Sequence, residues 1–100
     1  MEYLTSSDGK GITVALKGRL TFSHHDEFHK LLLDLASKGV SQLVFDLSSL
    51  EAIDSVGLGL LMIARDEIAS RHGRFALRNP QGQVKRIFSI SKADALFTIL

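Results

Sequence analysis

The chain has 100 residues, 45% of them hydrophobic and 23% charged, the proportions of one small domain able to bury its own core. It contains no cysteine, which excludes disulfide frameworks, thiolate zinc sites and cysteine nucleophiles. Lys and Arg number 12 against 11 Asp and Glu, a net charge of +1 that argues against a nucleic-acid partner.

The N-terminal MEYLTSSDGK carries no secretion signal, and no apolar run approaches the roughly 20 residues of a membrane span, so a cytoplasmic domain without membrane insertion is expected. Residues 12–17 alternate, with Ile12, Val14 and Leu16 on one side, and predict a strand with one face in the core. Asp8-Gly9-Lys10-Gly11 is a turn signal, and residues 2–5 can supply the other strand of a hairpin. Ser23 is placed to cap a helix, with Asp26 three residues on. Phe28, Leu31, Leu32, Leu35 and Ala36 form its apolar stripe, and Gly39 ends it. Residues 43–47, LVFDL, read as a mostly buried strand.

A second helix is predicted over residues 56–71, with Leu60, Leu61, Ala64 and Ile68 inward and Arg65, Asp66 and Glu67 outward. His72-Gly73 stops it, and residues 74–78 form a short strand with Phe75 and Leu77 on one face. Asn79-Pro80 then opens a third helix, asparagine as cap and proline in the first helical position, with Val84, Ile87 and Phe88 as the stripe. The apolar tail, residues 95–100, suits a strand or a short helix. The order β-β-α-β-α-β-α predicts an α/β fold whose parallel strands are joined by helical crossovers.

Core building does not account for the stretch from Asp46 to Leu60. A strand ends, a short polar loop follows, and Asp54-Ser55 leads into a helix whose first turn holds Gly57 and Gly59. Glycine costs about 0.8–1.0 kcal/mol relative to alanine in a helix interior. Two in one turn need a reason, and close approach of another backbone is one. The simplest reading is structural: Asp54 or Ser55 caps the helix and the glycines pack under the sheet. A dinucleotide loop is disfavoured, because the third glycine of G-x-G-x-x-G would fall at Met62, and there is no P-loop pattern. A third reading makes Ser55 a covalent switch, an exposed hydroxyl where free N–H groups and the helix dipole would accept a phosphate. No serine–histidine–acid or paired-carboxylate constellation can be assembled, so neither catalytic residues nor a cofactor are expected.

The run Asp46-Leu47-Ser48-Ser49-Leu50, followed by Ile53-Asp54-Ser55-Val56-Gly57-Leu58-Gly59-Leu60-Leu61, resembles the signature of the STAS domain, specifically of the bacterial anti-sigma factor antagonists. Gly18-Arg19-Leu20, and Asn79-Pro80 with Val84-Lys85-Arg86-Ile87-Phe88, extend the likeness over nearly the whole chain. The resemblance implies a single STAS domain over residues 1–100, with a mixed four- to five-stranded β-sheet flanked by helices. It also implies a partner-switching protein rather than an enzyme. The dephosphorylated domain binds a kinase-type anti-sigma factor and displaces that protein's other client. The kinase transfers the γ-phosphate of its own ATP to Ser55, and a PP2C-type serine phosphatase removes it. Where the family commonly has a second Ser or Thr, this chain has Val56, which leaves Ser55 as the only hydroxyl at the start of the helix.

The implied partner-binding residues are Asp54, Ser55, Val56, Gly57, Leu58, Gly59 and Met62. Asp54 has two roles open to it, orienting the Ser55 hydroxyl or capping the helix. Leu58 and Met62 either anchor a partner or pack against the core. A phosphate at Ser55 would add to the charge of Asp54 and of Glu51 nearby. The alternative is a non-switching STAS domain, such as the small cytoplasmic subunit of a lipid-transport ABC system. Elsewhere, His25 and His29 share a helix face at a spacing that can hold a metal, but a solvated face is favoured and no metal site is expected. Arg71, His72, Arg74 and Arg78 form a loose basic cluster, read as a solvated helix end and strand.

Overall fold

Alternation in the first twenty residues produces a hairpin. β1 (Glu2–Ser7) runs antiparallel to β2 (Ile12–Leu20), in register from Glu2 opposite Lys17 to Ser7 opposite Ile12. The computed structural model describes residues 1–9 and 11–100. Lys10 of the expected turn lies outside them; on its flanks the Gly11 N–H donates to Asp8 Oδ1 at 3.0 Å and the Asp8 N–H to the Gly11 carbonyl at 3.2 Å.

A 3-10 turn, Phe22–His24, precedes α1 (His25–Ser37). Ser23 is therefore not the cap that the sequence suggested, because it lies inside this extra turn. The Thr21 N–H instead donates to His24 Nδ1 at 3.2 Å, so an imidazole does the work of the acid in a capping box. Among the described residues the Ser23 hydroxyl reaches only Thr21 Oγ1, at 3.0 Å. Phe28, Leu31, Leu32 and Leu35 are buried as the stripe required and Ala36 is half-buried; Gly39 then turns the chain at φ +66°.

β3 (Gln42–Ile53) corrects a larger expectation: residues 48–53 are strand, not loop. Two register shifts against β2 explain the misreading. Ala15 faces Asp46 but Lys17 faces Ser49, and Gly18 faces Leu50 but Arg19 faces Ala52. Each shift places one extra residue in β3, and a bulge of this kind resets the side-chain alternation. The buried positions accordingly run Leu43, Phe45, Leu47 at a spacing of two, then Leu50 and Ile53 at a spacing of three.

α2 (Ser55–Ser70) buries Leu60, Leu61, Ala64 and Ile68 as predicted. β4 (Arg74–Arg78) lies where it was expected. α3 (Gly82–Ile90) begins later than expected, because Asn79 sits at φ +58° and cannot cap, and Gln81 occupies the N-cap position. After α3, residues 93–95 form a 3-10 turn and the tail makes one parallel bridge, Ile99 to Leu77. The described residues thus form one α/β domain with a four-stranded mixed sheet, order β1-β2-β3-β4, in which β2-β3 and β3-β4 are parallel.

All three helices cover the sheet face that carries Val14, Leu16, Leu43, Phe45 and Leu77, and their apolar residues share one core with it. A chain of rings threads this core, from Phe28 on α1 through Phe45 and Phe75 to Phe97 and Phe88. The opposite face, with Leu4, Thr13, Ala15, Val44 and Ala76, stays half-buried or exposed. Among the described residues no helix is long and apolar enough to cross a membrane.

Candidate functional site

The second bulge delivers the end of β3 to the start of α2, and five hydrogen bonds hold that junction. Asp54 is extended and caps α2, its Oδ1 accepting from the Gly57 N–H at 2.7 Å. Its other oxygen accepts from the Phe22 N–H at 3.0 Å, tying the 3-10 turn to α2. The Asp54 N–H donates to the Leu20 carbonyl at 3.4 Å. Gln83 of α3 brackets the preceding residue: the Ile53 N–H donates to Oε1 at 2.9 Å and Nε2 donates to the Ile53 carbonyl at 3.0 Å. The amide of Gln83 takes the place of a strand neighbour at the point where β3 leaves the sheet.

Of the two roles open to Asp54, the geometry places it in the cap. Burial pushes its carboxyl up, but the N–H groups of Gly57, Phe22 and Val56 outweigh that and hold it below the ordinary carboxylate value. Ser55 is exposed, and among the described residues its hydroxyl makes no hydrogen bond. Of the N–H groups at this helix start, that of Gly57 already belongs to Asp54, so an added phosphate would share the helix start with an occupied cap.

The two glycines separate. A Cβ on Gly57 would run into the Leu20 carbonyl and come within 2.8 Å of Ile53 Cγ1, so this glycine lets α2 lie on the β2 backbone. A Cβ on Gly59 would meet nothing within 4 Å. Packing under the sheet therefore explains Gly57 and leaves Gly59 without an internal reason.

Leu58 and Met62 are half-buried and pack against the core. The exposed apolar groups near Ser55 are others. Val56 is 41% exposed and Ile63 52%, at the helical spacing that puts them on one face with Gly59 between. Phe22, 71% exposed, sits on the turn that Asp54 holds. Phe22, Ile63 and Gln83 escaped the sequence reading. Ile63 and Val56 are seven apart, a helical repeat that could have been read; Phe22 and Gln83 reach the site through long-range contacts that leave no local signal.

Glu51 is exposed in an open groove of about 880 Å3 with Met1, Glu2, Lys17, Gly18 and Gln81, a lining that includes neither Asp54 nor Ser55. His25 and His29 stack with centroids 6.3 Å apart, and His25 Nδ1 lies 3.4 Å from Asp26. Arg71 pairs with Glu67 at 3.1 Å and Arg78 with Asp46 at 3.0 Å, so the basic cluster is split between two ion pairs.

Comparison with known proteins supplies a frame for this geometry. The family model described as "Mlab, STAS domain" matches residues 4–99. A STAS-domain containing protein of Pseudomonas aeruginosa is 31% identical over 96 residues, 96% of this chain and 94% of that one. A Thermotoga maritima protein assigned as a candidate anti-sigma factor antagonist is 34% identical over 73 residues, 72% of this chain and 65% of its own length. The fold is shared with the anti-sigma factor antagonist SpoIIAA in its unphosphorylated form, at a TM-score of 0.74 and 18% identity over 99% of this chain and 87% of that one. The Bacillus protein SpoIIAA has also been solved in a phosphorylated form, with the same TM-score of 0.74.

Proposed function

The chain belongs to the STAS domain family, and from that premise we propose that it is an anti-sigma factor antagonist whose binding to a kinase-type anti-sigma factor is switched off by phosphorylation of Ser55. The observation that carries this reading is the unbonded, exposed Ser55 hydroxyl beside a capped helix start whose outer face bears Val56, Gly59 and Ile63. Residues 1–100 act as one cytoplasmic STAS domain and supply no catalysis of their own. The partner brings the ATP: Ser55 Oγ bonds to the γ-phosphorus, the bond from that phosphorus to the bridging oxygen breaks, ADP leaves, and the hydroxyl proton passes to a base of the kinase. A PP2C-type phosphatase reverses the modification.

Asp54, Ser55, Val56, Gly57, Leu58, Gly59 and Met62 form the docking segment, extended here by Phe22 and Ile63. Asp54 and Gly57 shape the backbone, Leu58 and Met62 support it from the core side, and the exposed apolar groups make contact. A phosphoserine carries about −1.5 to −2 charges at pH 7. Beside the ionised Asp54 it places like charges at the centre of the interface, where juxtaposition costs several kcal/mol and about 1.4 kcal/mol is already tenfold in affinity.

Phosphopeptide mass spectrometry of cells grown in varied conditions is expected to find phosphate on Ser55. Binding of the isolated cognate kinase should survive in Ser55→Ala and fall at least about tenfold in Ser55→Asp. Equal binding by the two variants would sink the electrostatic switch. The second reading, a non-switching STAS subunit such as that of a lipid-transport ABC system, draws on the apolar face around Gly59, which is exposed whatever the state of Ser55. Co-purification with a transporter ATPase, with Ser55 unmodified throughout, would favour it.

A further inference from the structure

The two edges of the sheet are treated differently. At β4 the tail blunts the edge: the Leu77 N–H donates to the Thr98 carbonyl and the Leu100 N–H to the Leu77 carbonyl, both at 2.8 Å. At the other side, β1 has one neighbour among the described residues, β2, and its outer edge is unpaired. Proteins guard open edges with lysine, proline, bulges or very short strands. β1 has six residues, pairs with β2 without a register shift, and contains neither lysine nor proline; its one charge, Glu2, stands at its first position. All six of its side chains are exposed, Leu4 at 69%.

We propose that β1 is a homodimer interface, at which it pairs antiparallel with β1 of a second copy about a two-fold axis at Leu4, making one continuous eight-stranded sheet. The occupant is fixed by side-chain complementarity. A two-fold normal to the sheet keeps both helical layers on one side and pairs even-numbered residues with even and odd with odd, since side chains alternate faces. With the axis at Leu4, Leu4 faces Leu4 of the second copy, Tyr3 faces Thr5 and Glu2 faces Ser6. The exposed leucine is thereby covered, an aromatic meets a β-branched residue, and no like charges oppose. With the axis at Thr5, Glu2 would face Asp8, a repulsive pair. With the axis at Tyr3, Glu2 would face Leu4, setting a charge against the exposed leucine, and only Glu2, Tyr3 and Leu4 of β1 would pair with one another. One strand pair is smaller than the roughly 800 Å2 per partner of a standard interface, so the dimer is weak and reversible. It shares no residue with the Ser55 segment, so its success or failure leaves the proposed function untouched.

Because the natural chain lacks cysteine, single-cysteine variants report the pairing without background. Leu4→Cys is expected to oxidise readily to a disulfide-linked dimer, whereas Ser6→Cys, whose two copies lie about four residues apart along the paired strands, remains monomeric under the same conditions. Sedimentation velocity on the unmodified chain should give a weight-average mass rising toward two copies with concentration. Leu4→Lys, a change at an exposed position that leaves the circular dichroism spectrum intact, should hold the mass at one copy. A chain that stays monomeric at every concentration, together with equal cross-linking at positions 4 and 6, would overturn the proposal; so would a dimer indifferent to Leu4→Lys.

Discussion

A methyl group added at Gly57 and one added at Gly59 have opposite expected outcomes, although the sites are two residues apart. At Gly57 the new Cβ meets the Leu20 carbonyl, a backbone atom that cannot rotate aside. Gly57→Ala is expected to cost about 1–3 kcal/mol in urea unfolding, the range of overpacked cores. At Gly59 the Cβ meets open space, so Gly59→Ala should stabilise the isolated domain by about 0.5–1 kcal/mol through helix propensity. If Gly59 lies against a partner, the same variant binds that partner less well while melting higher. A rise in stability with unchanged binding would remove Gly59 from the docking face. At Asp54 the cap carries the prediction: Asp54→Ala should lose about 1 kcal/mol and loosen the Phe22 turn, seen as faster hydrogen exchange at the amides of Phe22 and Gly57.

Elements meet at this junction through Gln83, whose side-chain amide hydrogen-bonds α3 to the end of β3. Gln83→Ala removes two hydrogen bonds and leaves the N–H of a buried residue without its partner, an expected loss of about 1–3 kcal/mol with selective deprotection of the Ile53 amide. Unchanged exchange at Ile53 would show that water replaces the glutamine at no cost. Much of the element order was legible beforehand, because Val14-Leu16 alternation and the Leu60-Leu61-Ala64-Ile68 stripe are local signals that the core then satisfies. The second half of β3 was not, since its two bulges turn a spacing of two into three, and Ser48-Ser49 with Glu51 then reads as loop. The start of α3 misled for a different reason: Asn79-Pro80 has the composition of a helix start, but a positive φ at Asn79 spends it on a turn. Within the site, Asp54, Ser55 and Gly57 stood out in the chain because a cap, a hydroxyl and a close backbone approach are written in adjacent residues. Phe22 and Gln83 arrive from 32 and 30 positions away and are visible only once folded.

For the molecule as a whole, two carboxyls contribute to acid stability. At Asp46 burial pushes the carboxyl up, but the Ser48 N–H and the Arg78 guanidinium outweigh it, so Asp46, like Asp54, is held below its ordinary value. As pH falls, the unfolded chain takes up protons at these groups before the folded chain does. Their contribution is therefore complete above about pH 4 and lost as pH drops through the lower folded values. Calorimetry should find a melting temperature that declines below that point, and declines less steeply in Asp46→Asn/Asp54→Asn, which starts lower. A parallel decline in both proteins would assign acid sensitivity elsewhere. The tail strapped along β4 acts at the same scale. In polymer terms, a molecule with one adhesive edge is a chain stopper: it joins once and growth ends. Deleting residues 98–100 would bare the β4 edge beside Leu77 and turn each molecule into a bifunctional monomer, able to add copies at both ends without closing. Light scattering on that truncation is expected to reveal open-ended assemblies where the full chain stops at two. Residues 98–100 thus set the valence of the protein.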